Sequence, residues 1–159
     1  MARTLVVIRH AKSDWEQATP DEQRPLNERG RREAPLIGRW LADHVEGLDL
    51  VVCSPATRAR QTWRLASAGL EPKVRARYDE RIYAAGPREL MSVVEELDDE
   101  VGTAALVGHN PGLTELVETL CGERVELKTS AVAVLRWDGS WADVWARRAA
   151  LVTHATPRE

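Results

Sequence analysis

The chain has 159 residues and a net charge of −3, and it is 43% hydrophobic and 30% charged. That length supports one domain, spanning 1–159, with a single real core, and the balance is ordinary for a globular protein. The composition argues against nucleic acid as a partner, no apolar run approaches the ~20 residues that span a bilayer, and two cysteines, Cys53 and Cys121, are too few for a disulfide framework.

Residues 5–8 are too short an apolar run for the core of a signal peptide, and a reducing, cytoplasmic setting is expected. The charge is unevenly placed. Residues 1–81 hold 15 Lys and Arg against 12 Asp and Glu, whereas residues 82–159 hold 7 against 13. An anion pocket built mainly by the N-terminal half would account for that bias.

The pattern alternates strands and helices along the chain. Residues 4–9 read as a strand. Residues 27–45 read as a helix, with Asn27 as N-cap, Ala34, Ile37, Leu41 and Val45 on one face, and Pro35 expected to kink or split it. Residues 49–53 are a second apolar strand, after which Ser54 and Pro55 look like the N-cap and first position of a helix that stops near Gly69. A short strand at 73–76 and a helix at 87–97 come next. Residues 103–109 read as a buried strand, and residues 111–121 as a helix stopped by Gly122. The stretch AVAVLRW-DGS-WADVWARR reads as a hairpin turning at Asp138-Gly139. His154 falls in an expected mobile tail, His44 on a helix surface, and the six Trp read as core choices. The acidic run Glu95 to Glu100 reads as a solvated helix end. The sum is an α/β layering with a mostly parallel sheet and an antiparallel edge.

In open α/β sheets, ligands bind beyond the carboxyl ends of the strands. Three predicted strands end in related polar groups: Arg9-His10, then CSPATRARQT with Arg58 one turn into a helix, then GHNPG with His109. If these tips converge, two imidazoles and two guanidiniums share one cleft, a cluster costly to assemble unless an anion occupies it. A phosphoryl group held by the planar Arg forks and flanked by helix N-termini is the natural guest.

RHAKSD, RPLNERG, SPATRARQT and GHNPGL, in this order, resemble the histidine phosphatase superfamily, also called phosphoglycerate-mutase-like. The short length resembles its compact branch of SixA-type phosphohistidine phosphatases, as does the late LKTSAVAVLRW. The resemblance implies a three-layer α/β/α sandwich, with His10 as the nucleophile that takes the phosphoryl group. It also implies that Arg9, Arg58 and His109 bind its oxygens. These roles suit the residue types, since neutral imidazole is a competent nucleophile and phosphoryl transfer needs in-line positioning among cations. No metal or cofactor is required. Arg24 is either a further phosphate contact or a salt bridge that fixes its loop. Ser13 is either a hydrogen-bond donor to phosphate or a cap. Lys12 is expected to be exposed.

Two departures stand out. Ala11 replaces the Gly that commonly follows the nucleophile and limits φ there. The general acid of larger relatives comes from an insert for which this chain has little room. Glu80 is the best positional match, with Asp79, Asp21 and Asp14 behind it. An alkoxide leaving group needs a proton donor, whereas imidazole leaving from phosphohistidine, with a pKa near ~6.5, needs little help. A weak acid therefore favours a phosphohistidine protein as substrate, with a small phosphomonoester as runner-up.

Other chemistries fit less well. A cysteine phosphatase needs Cys-x5-Arg, but counting from Cys53 the required Arg position holds Ala59 and Arg58 comes one residue early, so Cys53 reads as a buried strand residue. The four His show no metal-ligand spacing. A non-catalytic phospho-ligand binding module would usually have lost His10 or an anchoring Arg.

Overall fold

A computed structural model of the protein describes residues 1–16, 18–145 and 148–158. The alternation read from the sequence becomes a six-stranded sheet with helices on both faces. The first strand, Ala2–Arg9 (β1), leads into helix Glu28–His44 (α1), strand Leu50–Cys53 (β2) and helix Thr57–Ser67 (α2). Strand Arg75–Tyr78 (β3), helix Pro87–Glu95 (α3), strand Thr103–Gly108 (β4) and helix Gly112–Cys121 (α4) follow. Strands Val132–Asp138 (β5) and Ala150–Ala155 (β6) end the order.

The strands lie in the order β3-β2-β4-β1-β5-β6. The first four are mutually parallel, while β5 pairs antiparallel with both β1 and β6. The antiparallel strand thus sits one place in from the edge, and β6 lies outside it. Alternate residues of β1 serve two cores. Leu5 and Val7 pack with Leu90, Val94, Leu113 and Leu116 under α3 and α4. Val6 and Ile8 pack with Ile37, Leu41, Ala59 and Trp63 under α1 and α2. Burial on both faces explains why the parallel strands read as continuous apolar runs.

Several local expectations hold at the atomic level. The Asn27 side chain accepts a hydrogen bond from the Gly30 N–H, a cap worth about 1 kcal/mol. Gly122 ends α4 in the left-handed region, at φ 78°. Gly30 is required by a close approach: a Cβ there would collide with the Lys12 carbonyl, where the start of α1 closes on the loop after His10.

Other expectations change. Helix α1 is not split at Pro35, because that residue lies on the exposed face, where the carbonyl it leaves unpaired can be hydrated. Ser54 does not cap α2. The helix starts at Thr57 with Ala56 as N-cap, and the Ser54 hydroxyl is engaged elsewhere. No tight hairpin forms at Asp138-Gly139. Residues 141–145 are turns, the partner of β5 is the later strand β6, and residues 146 and 147 of the expected second strand lie outside the described residues. His154 belongs to β6 rather than to a tail. Trp63, Trp137 and Trp141 are core residues, but Trp15 is 71% exposed.

Candidate active site

The parallel register brings three chain segments to one edge of the sheet. Arg9 pairs with Gly108 across β1 and β4, and Cys53 pairs with Val107 across β2 and β4. Just beyond, the His10 N–H donates to the Gly108 carbonyl at 3.1 Å, and the Ser54 N–H donates to the Val107 carbonyl at 2.9 Å. His10, Ser54 and His109 therefore surround a single point. The His10 and His109 ring centroids are 5.1 Å apart.

A cleft of about 660 Å³ opens there, lined by Arg9, His10, Lys12, Ser13, Arg24, Arg58 and His109 among others. Its four guanidinium and ammonium cations all come from the first 81 residues, as the charge bias implied. Arg9 donates to the Leu127 carbonyl at 3.0 Å, and burial lowers its pKa. Arg58 and Arg24 converge on Asp21. Arg58 donates to the Asp21 carbonyl and carboxylate at 2.6 and 3.1 Å, Arg24 donates to the same carboxylate at 2.9 Å, and Tyr83 adds its hydroxyl at 2.6 Å. Hydrogen bonds from Tyr83 and Arg24, with the Arg58 charge, hold the Asp21 carboxyl well below the usual carboxylate range.

His10 is 6% exposed. Its Nδ1 lies 2.7 Å from the Ala11 carbonyl, which can only accept, so Nδ1 carries the proton and Nε2 keeps its lone pair. Burial, reinforced by the Arg58 and Arg9 charges and only partly offset by the Ala11 bond, pushes the His10 pKa down to about 3. His109 is lowered to about 4, again by burial first and then by Arg58, with Asp21 acting in the opposite direction. Both rings are neutral at pH 7.

The motif SPATRARQT now has a physical reading. Ser54 meets His109 at 2.7 Å, Arg58 reaches the cleft, and Gln61 accepts from the Leu26 N–H. Thr62 accepts from the Ala11 N–H at 3.0 Å while donating to the Arg58 carbonyl, and so ties the loop after His10 to α2. Ala11 fits this loop because it is not among the positive-φ positions of the described residues. Ser13 accepts from Arg24 in a short contact, so it is already engaged with a guanidinium. Cys53 is fully buried in β2 and its thiol is pushed up to about 12, the opposite of a reactive thiolate.

Glu80 is not brought into the cleft. It starts a short 3-10 turn, Glu80–Ile82, with its side chain exposed, because Asp79 caps that turn and ties it outward through Arg81. Asp79 and Asp14 also lie outside the lining; Asp21 and Glu115 are the carboxylates within it. Sequence reasoning did not single out Tyr83, Glu115 or Trp15, which stacks on Arg24 at 3.5 Å, and it took Ser54 for a cap. Only Ser54 carried a usable signal, since it stands at a strand tip beside two others.

A parallel-sheet edge carrying two neutral imidazoles among four cations is a cleft whose charge and shape suit an anionic group such as a phosphoryl. Residues 5–156 match the model of the histidine phosphatase superfamily (branch 1), and the chain belongs to that family. Within it the resemblance is to the SixA type. The protein is 30% identical to phosphohistidine phosphatase SixA of Escherichia coli, over 86% of each chain. It superposes on the SixA structure from Nakamurella multipartitia with a TM-score of 0.90 and 30% identity, over 100% of this chain and 98% of that one. An uncharacterised protein of Mycobacterium tuberculosis is 43% identical, over 95% of this chain and all of its own. The protein is a SixA-type member of the family and a phosphatase.

Proposed function

We propose that this phosphatase removes the phosphoryl group from phosphohistidine on a protein partner, by way of a covalent phospho-His10 intermediate. The state of His10 carries the proposal: a buried, neutral ring whose Nδ1–H is fixed to the Ala11 carbonyl and whose Nε2 lone pair is free. In the first step that lone pair forms a bond to phosphorus. The bond from phosphorus to the substrate nitrogen breaks, and its electron pair stays on that nitrogen. In the second step water adds to phosphorus, the P–Nε2 pair returns to His10, and both protons of the water leave with the product as dihydrogen phosphate. Arg9, Arg58 and the His109 ring hold the equatorial oxygens in both steps, and Arg24 adds charge from one side. No metal or cofactor enters these steps.

The carboxylates support phosphohistidine as the substrate. Asp21 is bound by two guanidiniums and a phenol and stays deprotonated, and Glu80 lies outside the cleft. A substrate imidazole whose second nitrogen is protonated departs neutral, its conjugate acid having a pKa near ~6.5, and needs no donor. A small phosphomonoester is the second reading, favoured by Glu115, a half-buried carboxylate in the cleft.

Initial rates on a phosphohistidine protein, p-nitrophenyl phosphate and an alkyl phosphate test the choice. The expected order is phosphohistidine first and alkyl phosphate last by at least ~100-fold, with turnover unchanged in excess chelator. Comparable rates on the alkyl phosphate would establish the second reading. No turnover of any of the three would mark a binding module.

A further inference from the structure

Ser54 is 0% exposed, and its Oγ has two neighbours among the described residues. The first is the Ala56 N–H, which donates to Oγ at 3.2 Å and so uses one of its lone pairs. The second is His109 Nε2, at 2.7 Å. The hydroxyl proton therefore has a single acceptor within reach, the Nε2 nitrogen. A buried hydroxyl without an acceptor costs about 1–3 kcal/mol, so the proton goes there.

That choice decides the other side of the ring. A neutral imidazole that accepts at Nε2 carries its proton on Nδ1. His109 Nδ1 is itself buried and has no partner among the described residues, on a side chain more than nine-tenths buried. The alternative tautomer would leave the Ser54 proton without an acceptor.

We infer that Ser54 is a positioning residue that fixes His109 in its Nδ1–H tautomer, so that a neutral ring donates a hydrogen bond to the phosphoryl oxygens. The inference deepens the phosphohistidine phosphatase reading and rests on it. Its chemistry is self-consistent. His10 Nδ1 donates to the Ala11 carbonyl and frees Nε2 to attack, while His109 accepts at Nε2 and frees Nδ1–H to donate. Two rings 5.1 Å apart are thereby set to opposite roles by one backbone carbonyl and one hydroxyl. A donor that works without a positive charge suits this place, because a charged imidazolium would be repelled by Arg9, Arg58 and Arg24 whenever no phosphate is bound.

Long-range 1H–15N correlation spectra of the 15N-labelled protein at pH 7 read the tautomer directly, with His109 assigned by comparison with His109→Gln. In the wild type the unprotonated His109 nitrogen should couple strongly to both ring carbon-bound protons, the pattern of an Nδ1–H ring. In Ser54→Ala the pattern should shift toward Nε2–H, kcat on p-nitrophenyl phosphate should fall roughly 10- to 100-fold, and KM should change less than threefold. Ser54→Thr, which keeps a hydroxyl, should restore the wild-type pattern and most of kcat. An Nε2–H ring in the wild type overturns the inference, whatever the variants do. That result stands apart from failure of the nucleophile assignment, which the His10→Ala variant reports.

Discussion

The floor and the rim of the cleft are built by different means. The floor is His10, Ser54 and His109, each at the tip of one of three adjacent parallel strands, with positions fixed by sheet register to within a hydrogen bond. The rim is Trp15, Asp21, Tyr83 and Glu115, which reach the cleft from loops and from the flank of α4. Floor side chains are buried and the imidazoles among them are neutral. On the rim Trp15 is 71% exposed and the Asp21 side chain 52%. The floor is anchored by backbone hydrogen bonds, from His10 and Ser54 to β4 and from Leu113 to the His109 carbonyl. The rim can vary without disturbing the sheet. Chemistry should therefore fail sharply on the floor, while substrate preference and rate should change by smaller steps on the rim.

The largest effect falls on the floor. His10→Ala removes the proposed nucleophile while leaving both cores intact, since the ring lies beyond β1 rather than between the layers. Turnover should drop at least ~10³-fold with little change in melting temperature. Substantial hydrolysis by the folded variant would break the distinction between a chemical floor and a permissive rim.

A second test of the floor uses pH. The His10 pKa is about 3 in the folded protein and ~6.5 when unfolded. Between those values the unfolded chain binds the proton and the folded one does not, so stability is complete above pH 6.5 and is lost as pH falls toward 3. The contribution of one such ring is about 1.4 kcal/mol per pH unit inside that window. Chemical denaturation between pH 7 and 5 should show a steeper loss for the wild type than for His10→Asn, which cannot titrate. Parallel slopes would mean that His10 is not held neutral by burial.

On the rim, Asp21→Ala removes the carboxylate that aligns Arg58, Arg24 and Tyr83. The guanidiniums stay in the cleft but lose their fixed direction. kcat/KM on p-nitrophenyl phosphate should fall about 10-fold, far less than for His10→Ala. A loss as large as that of His10→Ala would put Asp21 on the chemical side of the comparison.

The same division explains what could be read from the chain. Arg9, His10, Arg58 and His109 were legible because strand tips are visible as apolar runs that end in polar residues, and parallel topology makes such tips converge. Asn27 and Gly122 were legible because caps are local. Tyr83 was not, since its reach to Asp21 spans 62 positions of sequence and depends on two loops folding over the cleft. Ser54 was misread for a subtler reason: the residue type that caps a helix also suits a buried hydroxyl relay, and only the neighbouring strand decides between them. The strand partner of β5 was misplaced because apolar alternation in WADVWARR satisfied the pattern while residues 141–145 went into turns.

The smallest effect separates position in sequence from position in space. Glu80 matches by order along the chain the carboxylate that would protonate a leaving group, but its exposed 3-10 turn is anchored outward by Asp79 and by the ion pair of Arg81 with Glu96. Its side chain is exposed, and the cleft lining does not include it. Glu80→Gln should therefore leave rates within about twofold on phosphohistidine and alkyl phosphate alike, the ordinary range for an exposed substitution. A selective loss on the alkyl phosphate would mean that the turn swings inward when substrate binds. The rim would then contribute chemistry that its resting geometry keeps out of the cleft.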